Sequence, residues 1–242
     1  MSEDLAIINP APPSGGPPLP PFGVLAGSLP DLAAICGSLG VNKAGFRSFF
    51  TSRLYTEAGQ RFALAGPLIG APYAVMLMET MIAWGAQTLL FFGWCGAISP
   101  EVQIGDIIVP TGALIDEGTS LHYRMKTGEM ASAGKRITTA ITRELARREM
   151  AHHTGAIWTT DGFFRETPEA VRHFQQQNAL AVEMELSALF TVGKFRNIEI
   201  GAVLVVSDSL SDLSWKQGFK EKRFKTQRRA VCEVIKQLCR TQ

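Results

Sequence analysis

With 242 residues, a formal net charge of +2, 46% hydrophobic and 19% charged residues, the chain can bury a large core and is too apolar to be disordered. The near balance of charge gives no polyanion-binding signature, and the basic residues of Lys216 to Arg229 are spaced as the wet face of a helix, so no nucleic-acid partner is expected. Four cysteines and four histidines lack metal-ligand spacing, the N-terminus lacks a basic region followed by an apolar run, and no apolar stretch is long enough to cross a bilayer. The expectation is a cytoplasmic protein with reduced thiols, no metal and no membrane contact.

Residues 1–21 hold seven of the thirteen prolines, which forbids a helix or a central strand and leaves a proline-rich arm. Within it, Leu5 to Ile8 is apolar enough to dock on the domain or on a neighbouring subunit. A single domain is expected over 22–242. Phe22 to Ala26 reads as a strand ending at the glycine turn Gly27-Ser28, with a helix from about Pro30 to Ser38. Arg47 to Tyr55 and Arg61 to Ala65 form a hairpin pattern around Glu57-Ala58-Gly59, and Gly66 to Pro72 breaks the chain before a methionine-rich helix from Tyr73 to Trp84.

Gln87 to Phe92 is a wholly apolar strand of the kind buried on both faces of a sheet, ending at Gly93-Trp94-Cys95-Gly96. Gly105 to Pro110 opens another strand that continues extended to Tyr123. A helix over Lys135 to Met150, a strand over Gly155 to Thr159 and a loop from Thr160 to Thr167 follow, and Pro168 then opens a helix running to Gln177. The apolar run from Ala179 to Phe190 carries Glu183 and Glu185, either as first-turn carboxylates favoured by the helix dipole or as ligand-holding groups. Glu185 to Phe195 makes a helix, Ile198 to Val206 a central strand, and Trp215 to Leu238 the last helix. Alternating helices and buried strands give an α/β fold layered helix-sheet-helix.

Three features fall at strand ends: Gly93 to Gly96, Glu183 to Glu185, and Asp208. An aspartate there serves either as a cap for a following helix or as a general acid, and paired carboxylates suit vicinal hydroxyls such as those of a ribose. Gly93-Trp94-Cys95-Gly96-Ala97-Ile98, Ile104 to Val109, Val182-Glu183-Met184-Glu185 and Val206-Ser207-Asp208 together resemble the ordered motifs of the nucleoside phosphorylase superfamily, which includes purine nucleoside phosphorylases, uridine phosphorylases and methylthioadenosine nucleosidases.

The resemblance implies a three-layer fold with a central mixed, partly barrel-like sheet and cleavage of the N-glycosidic bond of a small-molecule nucleoside. It makes Asp208 the proton donor to a purine base, Glu185, Met184 and Glu183 the ribose contacts, and Phe163, Cys95 and Gly96 the base pocket. No cofactor is implied beyond inorganic phosphate as a co-substrate. A homo-oligomer built from dimers, up to a hexamer, is implied too, with Arg47 lent to the neighbouring subunit's phosphate site beside Gly27 and Trp94. Gly118 to Tyr123 looks more like uridine phosphorylase, so a uridine-cleaving enzyme is one alternative, and a nucleoside-binding regulatory homologue is another.

The phosphate site departs from the family pattern. Asp31 and Phe91 stand where phosphorolytic members carry arginines, and Trp94 stands where they carry a serine or threonine. Each charged hydrogen bond contributes about 1.5–3 kcal/mol, so two absent arginines remove roughly 3–6 kcal/mol, or two to four decades of phosphate affinity. Water therefore competes with phosphate as the expected nucleophile.

Overall fold

The computed structural model describes residues 6–11, 18–42, 44–57, 59 and 61–241. Strand β1 (Phe22–Ala26) pairs in parallel with β4 (Phe62–Gly66) on one side and β5 (Thr88–Ala97) on the other. Its five residues are all buried, which explains why FGVLA shows no polar alternation. Beyond β4 the sheet continues antiparallel through β3 (Ser52–Thr56) to the edge strand β2 (Arg47–Phe49).

On the other side the sheet curls up. β5 pairs with β10 (Glu199–Ser209), β10 with β6 (Ile107–Asp116), β6 with β8 (His153–Thr160), β8 with β9 (Ala181–Glu183), and β9 returns to β5. These five strands close a barrel inside a mixed sheet, the architecture the motifs implied. Two short strands, β7 (Met130–Ser132) on β6 and β11 (Lys216–Gln217) on β10, complete the sheet among the described residues.

Alternation along the strands sorts the core into two layers. Val24, Val203 and Val205 pack against α1 (Leu29–Leu39), α3 (Lys135–Arg147) and α6 (Lys222–Thr241). Their neighbours Leu25, Leu204 and Val206 face the opposite way, toward α2 (Ala71–Ala83) and α5 (Leu186–Phe195). The remaining helix, α4 (Pro168–Gln176), stacks Phe174 on Trp158 with ring centroids 4.3 Å apart. Pro168 opens α4 as expected, with the Thr167 side chain accepting the Ala170 amide.

Several boundaries differ from the sequence reading. The run from Arg47 to Tyr55 is two strands, turned at Phe50, whose φ of 54° no glycine or asparagine advertised. In the hairpin turn after β3, residues 58 and 60 lie outside the described set. β5 does not end at Gly93 but runs to Ala97, since β10 pairs with it all the way. The segment expected to stay extended to Tyr123 turns into a short 3-10 helix at Ser120–Tyr123. β10 carries Ser207, Asp208 and Ser209 within the strand, so Asp208 caps no helix. The last helix opens at Lys222 rather than Trp215, leaving Phe219 outside it.

Of the arm, residues 1–5 and 12–17 lie outside the described set, Leu5 among them. Ile7 and Ile8 are exposed, so they do not dock on this chain's own domain. The arm is tied down further along, where Trp84 Nε1 donates to the Ala11 carbonyl and the Leu19 amide to the Trp84 carbonyl.

Candidate active site

A cleft of about 540 Å³ opens where β1, β5, β9 and β10 end, and the three sequence features meet in it. Gly93 and Gly96 are needed for reasons other than a turn. A Cβ on Gly93 would come within 2.5 Å of the Phe91 ring, and one on Gly96 within 2.9 Å of Leu210 and 3.2 Å of Asp208 Oδ2. Bare backbone at Gly96 lets the Asp208 carboxylate lie directly against β5.

A bulge after Val206 sets Asp208 opposite Gly96. The Asp208 side chain is buried, and two donors flank it. Ser207 Oγ lies 2.6 Å from Oδ1 and 3.2 Å from the Cys95 carbonyl, and Trp215 Nε1 donates to Oδ2 at 2.8 Å.

The two glutamates are held differently. Glu183 sits at the end of β9 with both oxygens taken: Oε1 accepts from Thr159 Oγ1 at 2.5 Å, and Oε2 accepts the amides of Glu185 and Leu186 at 2.8 Å each. It holds the start of α5, as the helix-dipole reading anticipated. Glu185 precedes the helix and accepts the Gly70 amide through Oε1 at 2.5 Å. Burial pushes the Glu183 carboxyl well above the ordinary range, and the Glu185 charge adds to the shift while the three donors oppose it. Burial likewise raises Glu185, to about 7, against the pull of the Gly70 amide.

Met184 lines the cleft beside Glu185. Cys95 is a buried lining residue whose thiol is pushed well up by burial and by the charges of Asp208 and Glu183, so it is inert at neutral pH. Phe163 is no core aromatic. It is 39% exposed on the cleft rim, edge-on to Phe164 at 5.0 Å and to Trp215 at 6.3 Å.

Of the residues assigned to phosphate, two meet in the cleft and the third, expected to serve a neighbouring subunit, lies apart from it. Gly27 and Trp94 line the cleft, while Arg47 is exposed with its guanidinium 5.1 Å over the Trp84 ring, away from its own chain's cleft. Asp31 is 1% exposed and bound on both oxygens. Ser28 Oγ and Trp94 Nε1 each donate to Oδ2 at 2.6 Å, and Arg228 donates to Oδ1 through Nε at 2.9 Å and Nη2 at 2.5 Å. Sequence spacing could not join Arg228 to Asp31, because the packing of α6 on α1 brings them together across 197 residues.

Glu166 was also missed. It lines the cleft with no hydrogen-bond partner among the described residues, and burial together with the Asp208 charge raises its carboxyl to about 7. A carboxyl raised in the folded state favours folding while protonated, and that advantage is lost as pH rises from the unfolded value, near 4.5, through 7. Glu166→Gln is therefore expected to stabilise the chain by about 1–2 kcal/mol at pH 8, discounted for partial exposure, and by nearly nothing at pH 4.5. Urea unfolding at both values checks the sign, and a gain confined to the acidic side would contradict it.

The Phosphorylase superfamily model matches residues 21–240. The chain belongs to this superfamily. Among its relatives, guanosine phosphorylase of Halorubrum lacusprofundi is 31% identical over 142 residues, which is 59% of this chain and 58% of that protein. The chain thus spans about three fifths of that relative's length. Uridine phosphorylase from Vibrio fischeri shares the fold with a TM-score of 0.77 at 21% identity over 93% of each chain. AMP nucleosidase from Bacteroides thetaiotaomicron shares it at 0.72 and 20% identity, over 92% of this chain and 90% of that one.

Proposed function

We propose that this superfamily member cleaves the N-glycosidic bond of a purine nucleoside. The observation that carries the reading is Asp208, buried at the β10 bulge against Gly96, facing the same cleft as Glu185 and Met184. In this reading Glu185 accepts hydrogen bonds from the ribose hydroxyls, Met184 packs on the sugar, and Phe163 covers the base above Cys95 and Gly96. Glu183 acts on the sugar indirectly by fixing Glu185 through the amide it accepts. As the bond to C1′ lengthens toward an oxocarbenium ion, Asp208 gives a proton to the imidazole nitrogen of the departing purine. A pyrimidine has no such nitrogen, which favours purines. The name of the guanosine phosphorylase relative points the same way.

The reading includes a homo-oligomer. Phe50, Ile69, Met76, Leu121 and Phe195 are large apolar residues left exposed on the single chain, and covering such a surface is the usual role of a subunit contact. It also includes a cytoplasmic, salvage-type role, which the free thiols of all four cysteines suit.

Base release from inosine, guanosine, adenosine and uridine, followed by absorbance, tests the substrate. Release from at least one purine nucleoside and none from uridine is expected. A uridine-only activity would overturn the purine assignment.

A further inference from the structure

We infer that Asp31 is a built-in anion that takes up the positive charge beside the nucleoside cleft, so that the glycosyl group passes to water rather than to phosphate. The inference rests on the nucleoside-cleaving reading and names its acceptor. The cleft lining carries four carboxyl groups, Glu166, Glu183, Glu185 and Asp208, and no lysine, arginine or histidine. An oxyanion entering it would find no counter-charge among these lining side chains, and every carboxyl that ionises would repel it.

Arg228, whose guanidinium lies over the lining residue Trp94, is already committed. Arg228 grips Asp31 with two nitrogens, and the Ser28 hydroxyl and the Trp94 indole N–H converge on the other oxygen. Four donors closing on one anion, at the turn where α1 presents its N-terminal end, form an anion site that the chain's own carboxylate fills. Arg228 is further fixed with its guanidinium 4.5 Å over the Trp94 ring and 5.3 Å from that of Phe224. Trp94 stands between this cluster and the cleft: the indole lines the cleft, whereas Asp31 and Arg228 line a separate crevice behind it. Donors held this way cannot turn to a co-substrate without uncovering Asp31.

The step balances with water alone. The water oxygen forms a bond to C1′ as the C1′–N bond breaks, and the electron pair leaves with the base. Asp208 protonates the base and is reprotonated from solvent, which takes up the proton that water sheds. The products are free ribose and free base.

Two measurements on the full chain decide the matter. The first follows a purine nucleoside in phosphate-free buffer and across a phosphate titration, with the sugar product identified by mass. Equal amounts of ribose and base, at a rate that phosphate leaves unchanged, are expected. Ribose 1-phosphate, with a rate that saturates in phosphate, would overturn the inference, including the case where Arg47→Ala removes that dependence and so reveals a cation lent by a second copy.

The second measurement needs no turnover. Inorganic phosphate is added to the native chain and to Asp31→Ala in thermal melts, with Asp31→Ser, which also withdraws the carboxylate from the four donors, as the second variant where alanine does not fold. Phosphate should raise the melting temperature of the variant, whose Ser28, Trp94 and Arg228 donors are vacated, and leave the native chain unmoved. A saturable shift in the native chain, or none in a folded variant, would refute the built-in anion. No cleavage of any nucleoside, together with the expected melts, would remove the nucleoside-cleaving reading and leave Asp31 as the anion.

Discussion

Asp208→Asn is expected to lower kcat on a purine nucleoside by about 10² to 10⁴, the range for loss of a general acid, with KM nearly unchanged. The carboxylate sits between Ser207 and the Trp215 indole, and an asparagine of the same shape can still accept the Trp215 N–H through its oxygen. The fold and the loop holding Trp215 should therefore survive. What the amide cannot do is carry a proton to the departing base. Glu185 and Met184 reach the cleft from a different strand end, so sugar binding does not depend on Asp208. A nitrophenyl riboside separates chemistry from positioning, because its phenolate leaves without being protonated. The variant should lose far less on that compound than on a purine nucleoside, and an equal loss on both would mean that Asp208 merely shapes the cleft.

The parts of this site visible in the sequence were those where one residue type had few other reasons to be there. Two carboxylates in the apolar run before α5, and an aspartate at the end of an unbroken buried strand, each demand a partner or a task. Assigning the tasks needed three dimensions. Glu183 and Glu185 lie two residues apart, yet one is saturated by the amides of α5 and the other bonds the distant Gly70, a difference of direction that spacing does not encode.

Strand cores were legible for the same reason: FGVLA in β1, LLFF in β5 and IGAVLVV in β10 are buried and carry no polar side chain. Their ends were less so. Glycine at 93 and 96 reads as a turn in one dimension, while in the barrel it marks where Phe91 and Asp208 press against backbone. Barrel closure itself rests on β9, a strand of three residues, too short to give a periodic signal. Asp31 stood out as an acidic residue in an unexpected place, but its partner Arg228 belongs to a helix rich in lysine and arginine, and nothing local distinguishes it from them.

That pair makes the strongest stability prediction. Arg228→Met should destabilise the chain by about 3–5 kcal/mol, the cost of breaking a buried ion pair from one side. Asp31 is 1% exposed, so its charge cannot recover hydration, and only the Ser28 and Trp94 donors would remain to it. Methionine fills much of the arginine's volume while giving up the charge and the stacking of the guanidinium on the Trp94 and Phe224 rings, so the loss reports the cation rather than a cavity. At this chain length a deficit of that size lowers Tm by about 6–20 °C.

The companion double variant, Asp31→Leu with Arg228→Met, should recover most of the loss, because an apolar pair of similar volume needs no counter-charge. Chemical unfolding of the native chain, both single variants and the double variant closes a cycle whose coupling energy isolates the pair. A single variant within about 1 kcal/mol of the native chain would mean that the carboxylate is held by Ser28 and Trp94 alone. In that case Arg228 would be free to meet an external anion. Its strength of attachment to Asp31 is thus the quantity on which both the stability of the α1–α6 seam and the choice between water and phosphate turn.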